Sequence, residues 1–292
     1  MFSKNRLRLS LLALLILLNY LVWTAGSEAN LPNLRVDVLD VGQGDAILIR
    51  TPSQQNILVD GGPDNSVSAR LGEILPIWDR KLDLVVATHW DADHITGLVT
   101  VLDRYEVKEV LITHPNVSLT KIGNAWQQAV AQVPIVNYAD ATDDYEWGEV
   151  SWDTLLPLTE DAVATDSNNS SIVAKLTYKG ESLLLTGDME EPEEDLLMQI
   201  YPAISAEILK VAHHGSKYSS TAVFLDRLYP QAALISVGAH NSYGHPSLEA
   251  LARLQAEGAD IYRTDEDGTI EVIFGDNGYS VKADGKEKFY QN

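Results

Sequence analysis

The sequence predicts an α/β (α+β) fold in which two packed sheets carry helices on their outer faces. Three observations predict it. Strand-like runs come first and are followed by two sets of mixed strands and helices, an order that suits two layers of sheet with helices outside. The longer segments between the strand-like runs place apolar residues at helical spacing. The His and Asp residues able to bind a cation stand just past predicted strand ends, and such ends gather at one edge of a sandwich. With 292 residues the chain can bury a full core.

The elements follow in order. Strands are expected at residues 34–41, 46–50 and 56–59, with Gly42-Gln43-Gly44-Asp45 as a tight turn and Asp60-Gly61-Gly62 closing the third. A helical signal spans residues 67–78, and a strand over 82–87 leads into a helix over 95–105. Residues 110–113 read as a strand and 122–133 as an amphipathic helix. Further strands are expected at 150–155, 171–178 and 182–185, the last closed by Gly187-Asp188 before a helix at 190–201. The final third has strands at 206–212 and 232–237, a helix at 248–257, and strands at 260–262 and 269–274 around the turn Asp265-Glu266-Asp267-Gly268. Residues 140–146 are markedly acidic and read as a solvated segment.

The N-terminus has a different character. Lys4, Arg6 and Arg8 precede an apolar stretch over 9–23, and small residues follow at 24–29. Residues 1–29 therefore read as a signal peptide or an N-terminal membrane anchor, the apolar run being short for a span of roughly 20 residues. Either fate puts the domain, residues 34–282, outside the cytoplasm, secreted or membrane-anchored. The absence of cysteine is compatible with export. The formal charge of −21 argues against a nucleic-acid binder that relies on a broad basic surface. A long polyanion would have to be held locally, by metal and a few cations.

His89, Asp91, Asp93 and His94 lie within six consecutive positions after a mostly apolar run. Two imidazoles and two carboxylates in one short loop crowd charge and unsatisfied acceptors together unless a cation sits among them. A loop of helix-capping aspartates is the plain alternative, as it is for Asp188 ahead of its helix. Asp60 is expected to orient a ligand histidine, Asp45 to do the same or to serve its turn, and Arg263 to be a surface charge partner.

These residues extend into a pattern. His89-Trp90-Asp91-Ala92-Asp93-His94 resembles the metal-binding signature of the metallo-β-lactamase fold in the variant where aspartate replaces the middle histidine. Asp40-Val41-Gly42-Gln43-Gly44-Asp45-Ala46, Leu58-Val59-Asp60-Gly61-Gly62, Leu185-Thr186-Gly187-Asp188, Lys210-Val211-Ala212-His213-His214-Gly215-Ser216 and Tyr243-Gly244-His245-Pro246-Ser247 extend the match over residues 34–274. Together the six blocks resemble, in order, the hydrolase domain of ComEC-type bacterial DNA-uptake proteins and their stand-alone relatives.

The resemblance implies a four-layer αββα sandwich and a binuclear site for two divalent ions. It implies His89 and Asp91 on one metal, Asp93 and His94 on the second, Asp188 bridging both, and one histidine of the His213-His214 pair completing the second. His214 is favoured as the ligand and His213 as the neighbour facing substrate. Many relatives supply another histidine to the first metal. Asn168-Asn169-Ser170-Ser171-Ile172-Val173 stands where that ligand would be, and His114 is the only histidine in the interval, expected to lie outside the ligand set. An oxygen-rich, incompletely filled site suits manganese as well as zinc.

The implied chemistry is cleavage of a phosphodiester by a metal-bridging hydroxide. Asp93, His213 and His245 are the catalytic candidates, with a histidine assisting the leaving group. Lys210 or Lys217 would position a substrate oxygen, and Ser216 and Ser219 would add hydrogen bonds. His240 is a weaker candidate by proximity. The substrate expected is a phosphodiester, single-stranded DNA in the nuclease form, with a membrane tether through the N-terminal segment. A small-substrate phosphoesterase of phosphorylcholine or wall-polymer type, a carbon-ester hydrolase, and a non-catalytic binding module are the alternatives.

Overall fold

The structure is a computed structural model and describes residue 8 and residues 10–17, 33–114, 120–159 and 167–291. Its nine-stranded sheet runs in the order Lys286–Gln291, Gly278–Ala283, Ile270–Gly275, Arg35–Val38, Ile47–Arg50, Asn56–Val59, Leu84–Ala87, Glu109–Ile112 and Ile135–Tyr138. A seven-stranded sheet faces it, ordered Asp260–Arg263, Ala232–Ile235, Ile208–Lys210, Glu181–Leu185, Val173–Tyr178, Val150–Leu156 and Tyr145–Trp147. Each sheet combines an antiparallel part with a run of parallel strands.

Side-chain alternation along the strands explains the layers. Val36, Val38, Ile57, Val59, Leu84 and Val86 of the first sheet meet Trp152, Leu176, Leu183, Ile208 and Leu234 of the second in a central core. The alternate residues Leu48, Leu58, Val85, Ala87 and Val110 face outward against the helices Ser66–Ile74, Ala92–Arg104 and Lys121–Val130. Leu184, Leu209, Ala233 and Ile235 do the same against Glu191–Ile200, Ala222–Leu228 and Leu248–Ala256. Three apolar interfaces separate four layers, the expected αββα sandwich. Leu84–Ala87 and Ala232–Ile235 are buried throughout because both faces are covered.

The differences from expectation have local causes. The first helix stops at Ile74 because Leu75, which precedes Pro76, is extended rather than helical. The expected turn after Arg263 is a single helical turn, Thr264–Asp267. The short helix Ala222–Leu228 and the outer strands Ile135–Tyr138 and Tyr145–Trp147 carry weak patterns because they are brief or sit at sheet edges. The hairpin Gly278–Ala283 and Lys286–Gln291 continues the first sheet past residue 282, its lysines marking an edge strand.

Residues 10–17 are helical with exposed leucines, and the rest of the expected leader lies outside the described residues. Among the described residues no helix is long and apolar enough to cross a membrane.

Gly44 ties the turn after the first strand to the metal-signature helix. Its φ is +139°, and a Cβ there would drive into the carbonyl oxygen of Asp93. Gly44→Ala is expected to lower stability by about 1–3 kcal/mol through overpacking. Gly72→Ala, in a helix with open space around it, should gain about 0.5–1 kcal/mol. Urea unfolding of the two variants measures both, and equal effects would show that the Gly44 contact carries no constraint.

Candidate metal centre

The parallel strands aim their C-terminal ends at one place, the general location of ligand sites in sheets of this kind. Asn56–Val59 delivers Asp60, Leu84–Ala87 delivers His89, Glu181–Leu185 delivers Asp188, Ile208–Lys210 delivers His213 and His214, and Ala232–Ile235 delivers Ser236.

Asp60 organises the first half. Its carboxylate accepts from the Thr88 amide at 2.9 Å and the Thr88 hydroxyl at 2.8 Å, and lies 2.8 Å from His94 Nδ1. The Thr88 hydroxyl, having donated to Asp60, can accept from His89 Nδ1 at 3.0 Å. Both imidazoles thus spend their Nδ1 protons outward and turn the Nε2 lone pair inward, the tautomer a metal ligand requires. Asp91 occupies the N-cap of Ala92–Arg104, yet its side chain makes no capping hydrogen bond. Its carboxylate lies 3.8 Å from His89 Nε2. Asp188 precedes Glu190, the N-cap of the next helix, so capping does not account for it either.

The second half rests on an unusual turn. His213, His214 and Gly215 have φ of 48°, 53° and 81°, and holding two non-glycine residues in the left-handed region costs on the order of 1–3 kcal/mol each. The turn sends the two rings different ways. His214 is buried, with Nδ1 2.9 Å from the Ser236 carbonyl and 3.3 Å from Asp45, and its Nε2 3.4 Å from Asp93. His213 is partly exposed, with Nδ1 3.1 Å from Glu190, which also accepts from Asn168 Nδ2 at 3.3 Å. Behind His214, buried Lys210 donates to Asp45 at 2.5 Å and to the Val211 carbonyl at 3.1 Å.

Everything converges on Asp188. Its Oδ2 lies 3.3 Å from His94 Nε2, 3.6 Å from His214 Nε2, 3.9 Å from His213 Nε2 and 4.0 Å from His89 Nε2. Asp188 Oδ1 and the Nε2 atoms of His89, His94 and His214 are buried without any hydrogen-bond partner. Orphaned buried polar atoms are costly, and four of them pointing into one space are what a bound cation would satisfy. His89, His94 and Asp188 form one group able to hold an ion, and Asp93, His94 and His214 another.

Charge in this cluster balances through protons when no ion is bound. Burial would lower His94, but Asp188 and Asp60 outweigh it and raise the ring well above the usual histidine range. Against the same burial, Asp188 and Asp45 push His214 up to about 10. Burial would raise Asp188, yet His94 and His214 hold it well below the usual carboxylate range. Raised histidines stabilise the ion-free fold fully below their unfolded value of about 6.5 and lose that contribution as pH rises through the folded value. An ion must displace these protons, so divalent-metal affinity should climb between pH 6 and 9 with measurable proton release. Titration calorimetry in buffers of different ionisation enthalpy checks this, and pH-independent affinity would contradict it.

The remaining candidates lie apart from the groups able to hold an ion. His114 stacks on Tyr138 at 3.8 Å. Lys210 is fully buried and turned onto Asp45 and the Val211 carbonyl, so its ammonium does not reach the surface where a substrate would lie. Lys217 is exposed and lies 4.9 Å over the Tyr218 ring. Ser216 Oγ accepts from the Tyr218 amide, and Ser219 Oγ donates to the Met189 carbonyl. His240 is exposed, and Arg263 pairs with Asp265 and Glu266. His245 packs edge-on to His213 at 5.5 Å. Burial, with the charge of the neighbouring His213 and His214, pushes it down to about 4, so it stands neutral at neutral pH. Thr88, Glu190 and Ser236 carry no signal in the sequence, and Asn168 and Ser171 stand out there only as part of the block lacking the expected histidine. Ser171 Oγ accepts from the Asp188 amide at 3.0 Å and lies 3.4 Å from His89 Nδ1, in the block where relatives were expected to carry a histidine.

Residues 39–240 match the family model described as the metallo-beta-lactamase superfamily. The chain belongs to this superfamily. Metallo-beta-lactamase superfamily members are in general metal-dependent hydrolases that bind divalent ions. The chain is 34% identical over 256 residues to ComE operon protein 3 of Bacillus subtilis (strain 168), covering 82% of this chain and 33% of that protein. It is 29% identical over 272 residues to competence protein ComA of Neisseria gonorrhoeae, covering 87% and 34%. With recombination protein 2 of Haemophilus influenzae the identity is 30% over 248 residues, covering 83% and 29%. The chain therefore spans about a third of the length of these curated relatives. Among solved structures it is similar to the metallo-beta-lactamase fold protein YhfI of Bacillus subtilis, with a TM-score of 0.55 and 11% identity over 81% of this chain and 98% of that one. That likeness is one of fold.

Proposed function

We propose that this superfamily hydrolase is a binuclear phosphodiesterase, exported or membrane-tethered through residues 1–29, acting as a nuclease on DNA strands. The observation that carries the reading is the single Asp188 carboxylate ringed by four imidazole Nε2 atoms. His89 and Asp91 would hold one ion, Asp93, His94 and His214 the other, and Asp188 both. Two divalent ions, manganese or zinc, would supply Lewis acidity toward phosphoryl oxygens and lower the pKa of a water. The competence relatives support DNA as the substrate.

The chain's own residues do the rest. Asp60, Thr88, Asp45 and Ser236 hold the ligand rings in one tautomer, and losing such a partner typically costs 10–100-fold in affinity or activity. His213 keeps its Nδ1 on Glu190 and presents Nε2 at the partly exposed side, placed to hand a proton to a leaving oxygen.

The division of labour between adjacent histidines can be measured. His214→Ala is expected to lose bound metal, whereas His213→Ala should keep it and lose about 10²–10⁴-fold in turnover, the usual worth of general acid–base catalysis. The opposite pattern would exchange their roles. The deciding experiment is metal analysis of the purified protein with hydrolysis of single-stranded DNA and of a chromogenic phosphodiester, with and without manganese. Cleavage of the small diester but not of DNA would favour the small-substrate reading, which the charge of −21 independently recommends. A fully loaded site that cleaves no phosphodiester would overturn the proposal.

A further inference from the structure

Beside the centre, the loop carrying His245 is built rigidly around one side chain. Asn241 Oδ1 accepts from the Tyr243 and His245 amides, each at 3.1 Å, while Asn241 Nδ2 donates to the His245 carbonyl at 2.6 Å and the Gly238 carbonyl at 3.0 Å. The loop is also fastened to the histidine turn. The Ser247 amide donates to the Gly215 carbonyl at 2.9 Å, and a Cβ on left-handed Gly215 would lie 2.6 Å from Pro246. This frame presents a large aromatic ring to solvent. Tyr243 is 69% exposed, and its ring lies nearly parallel to that of His245, at 6.0 Å and 12°. His245 in turn stands 5.5 Å from His213, at the mouth of the Asp188 cluster. Three rings thus lead from the centre outward, ending in the exposed ring of Tyr243.

An exposed aromatic on a loop that Asn241 braces with four hydrogen bonds, one of them to the Tyr243 amide, stands beside the centre without contributing to the core. Tyr and His faces stack on unpaired bases, and this binding is sequence-tolerant because every base has a π-face. If a strand is the substrate, the charge of −21 leaves few cations to hold its backbone, so contacts to bases would carry more of the binding. We infer that Tyr243, stacked on His245, is a ledge for a nucleobase of a single-stranded DNA substrate adjoining the phosphodiester to be cleaved. The inference rests on the phosphodiesterase reading and adds a specificity-determining residue to it. Bases inside a duplex keep their faces stacked on one another, so the ledge would favour unpaired strands.

The test is binding of a phosphorothioate oligothymidylate and of an abasic strand of equal length to the metal-loaded full chain, by anisotropy, for wild type, Tyr243→Ala and Tyr243→Phe. Wild type should prefer the base-bearing strand. Tyr243→Ala should shrink that preference about tenfold, the scale of one stacked base, and Tyr243→Phe should restore it. No preference in wild type, or equal losses on both strands in Tyr243→Ala, would overturn the ledge. Hydrolysis is scored separately: a wild type that prefers the base-bearing strand yet cleaves no phosphodiester overturns the reaction assigned above and leaves the ledge standing.

Discussion

Asp188→Ala is expected to reduce bound metal from about two ions per chain to one or fewer and to abolish measurable hydrolysis. Its carboxylate is near His89, His94 and His214, the three imidazoles assigned as ligands, and among the described residues it is the carboxylate placed to serve both ions. Loss of Lewis acidity at the reacting phosphate removes several kcal/mol of transition-state stabilisation, about a thousandfold or more in rate. The fold should survive at neutral pH, because Asp188 is what holds the His94 and His214 protons, so both rings can turn neutral once it is gone, and Asp188 is not part of the apolar core. Metal content by mass spectrometry, circular dichroism and turnover of a chromogenic diester read the three parts separately. Two ions retained at full occupancy would remove Asp188 from the bridging position.

The second large effect concerns stability. Lys210→Ala should destabilise the protein by about 3–5 kcal/mol, because it takes from the buried Asp45 carboxylate its nearer charge partner and leaves only His214 at 3.3 Å. Burial raises Asp45, and Lys210 with His214 more than reverses it, holding the carboxyl below the usual range. A depressed carboxylate contributes stability above its unfolded pKa of about 3.9 and loses it as pH falls through the folded value. The gap between wild type and variant should therefore be widest near neutrality and narrow in acid, where Asp45 takes up a proton in the variant. Lys210→Met with Asp45→Asn should recover most of the loss, since replacing both charges removes the uncompensated one. Urea titrations at pH 7 and pH 4 measure each gap. A constant gap would mean that lost packing, not charge, explains the effect.

Much of the candidate site was legible because it is local. Asp91, Asp93 and His94 sit within one turn of the helix start, so their spacing alone puts them together with His89. The strands Leu84–Ala87 and Ala232–Ile235 were legible because burial on both faces makes them apolar throughout. The edge strands were less so: Lys286–Gln291 needs only one apolar side chain inward and reads as charged. Lys210 was misjudged for a different reason. A lysine beside two histidines reads as a substrate contact, but its partner Asp45 lies 165 positions away, and sequence spacing carries no information about that distance.

The sequence by itself determined the fold class, the presence of a dense His and Asp cluster after a buried strand, and an acidic chain with few cations for a polyanion. Those are consequences of residue type and short-range order. Only the tertiary structure decided how adjacent His213 and His214 divide, one turned onto Glu190 at the open side and the other buried between Asp45, Ser236 and Asp93. It also decided that Asp60 and Thr88 fix the tautomers, and that Asp188 stands at the centre. The physical reason is that neighbouring residues on a strained left-handed turn point in directions set by what packs against them, and those partners come from strands that meet only when the two sheets close.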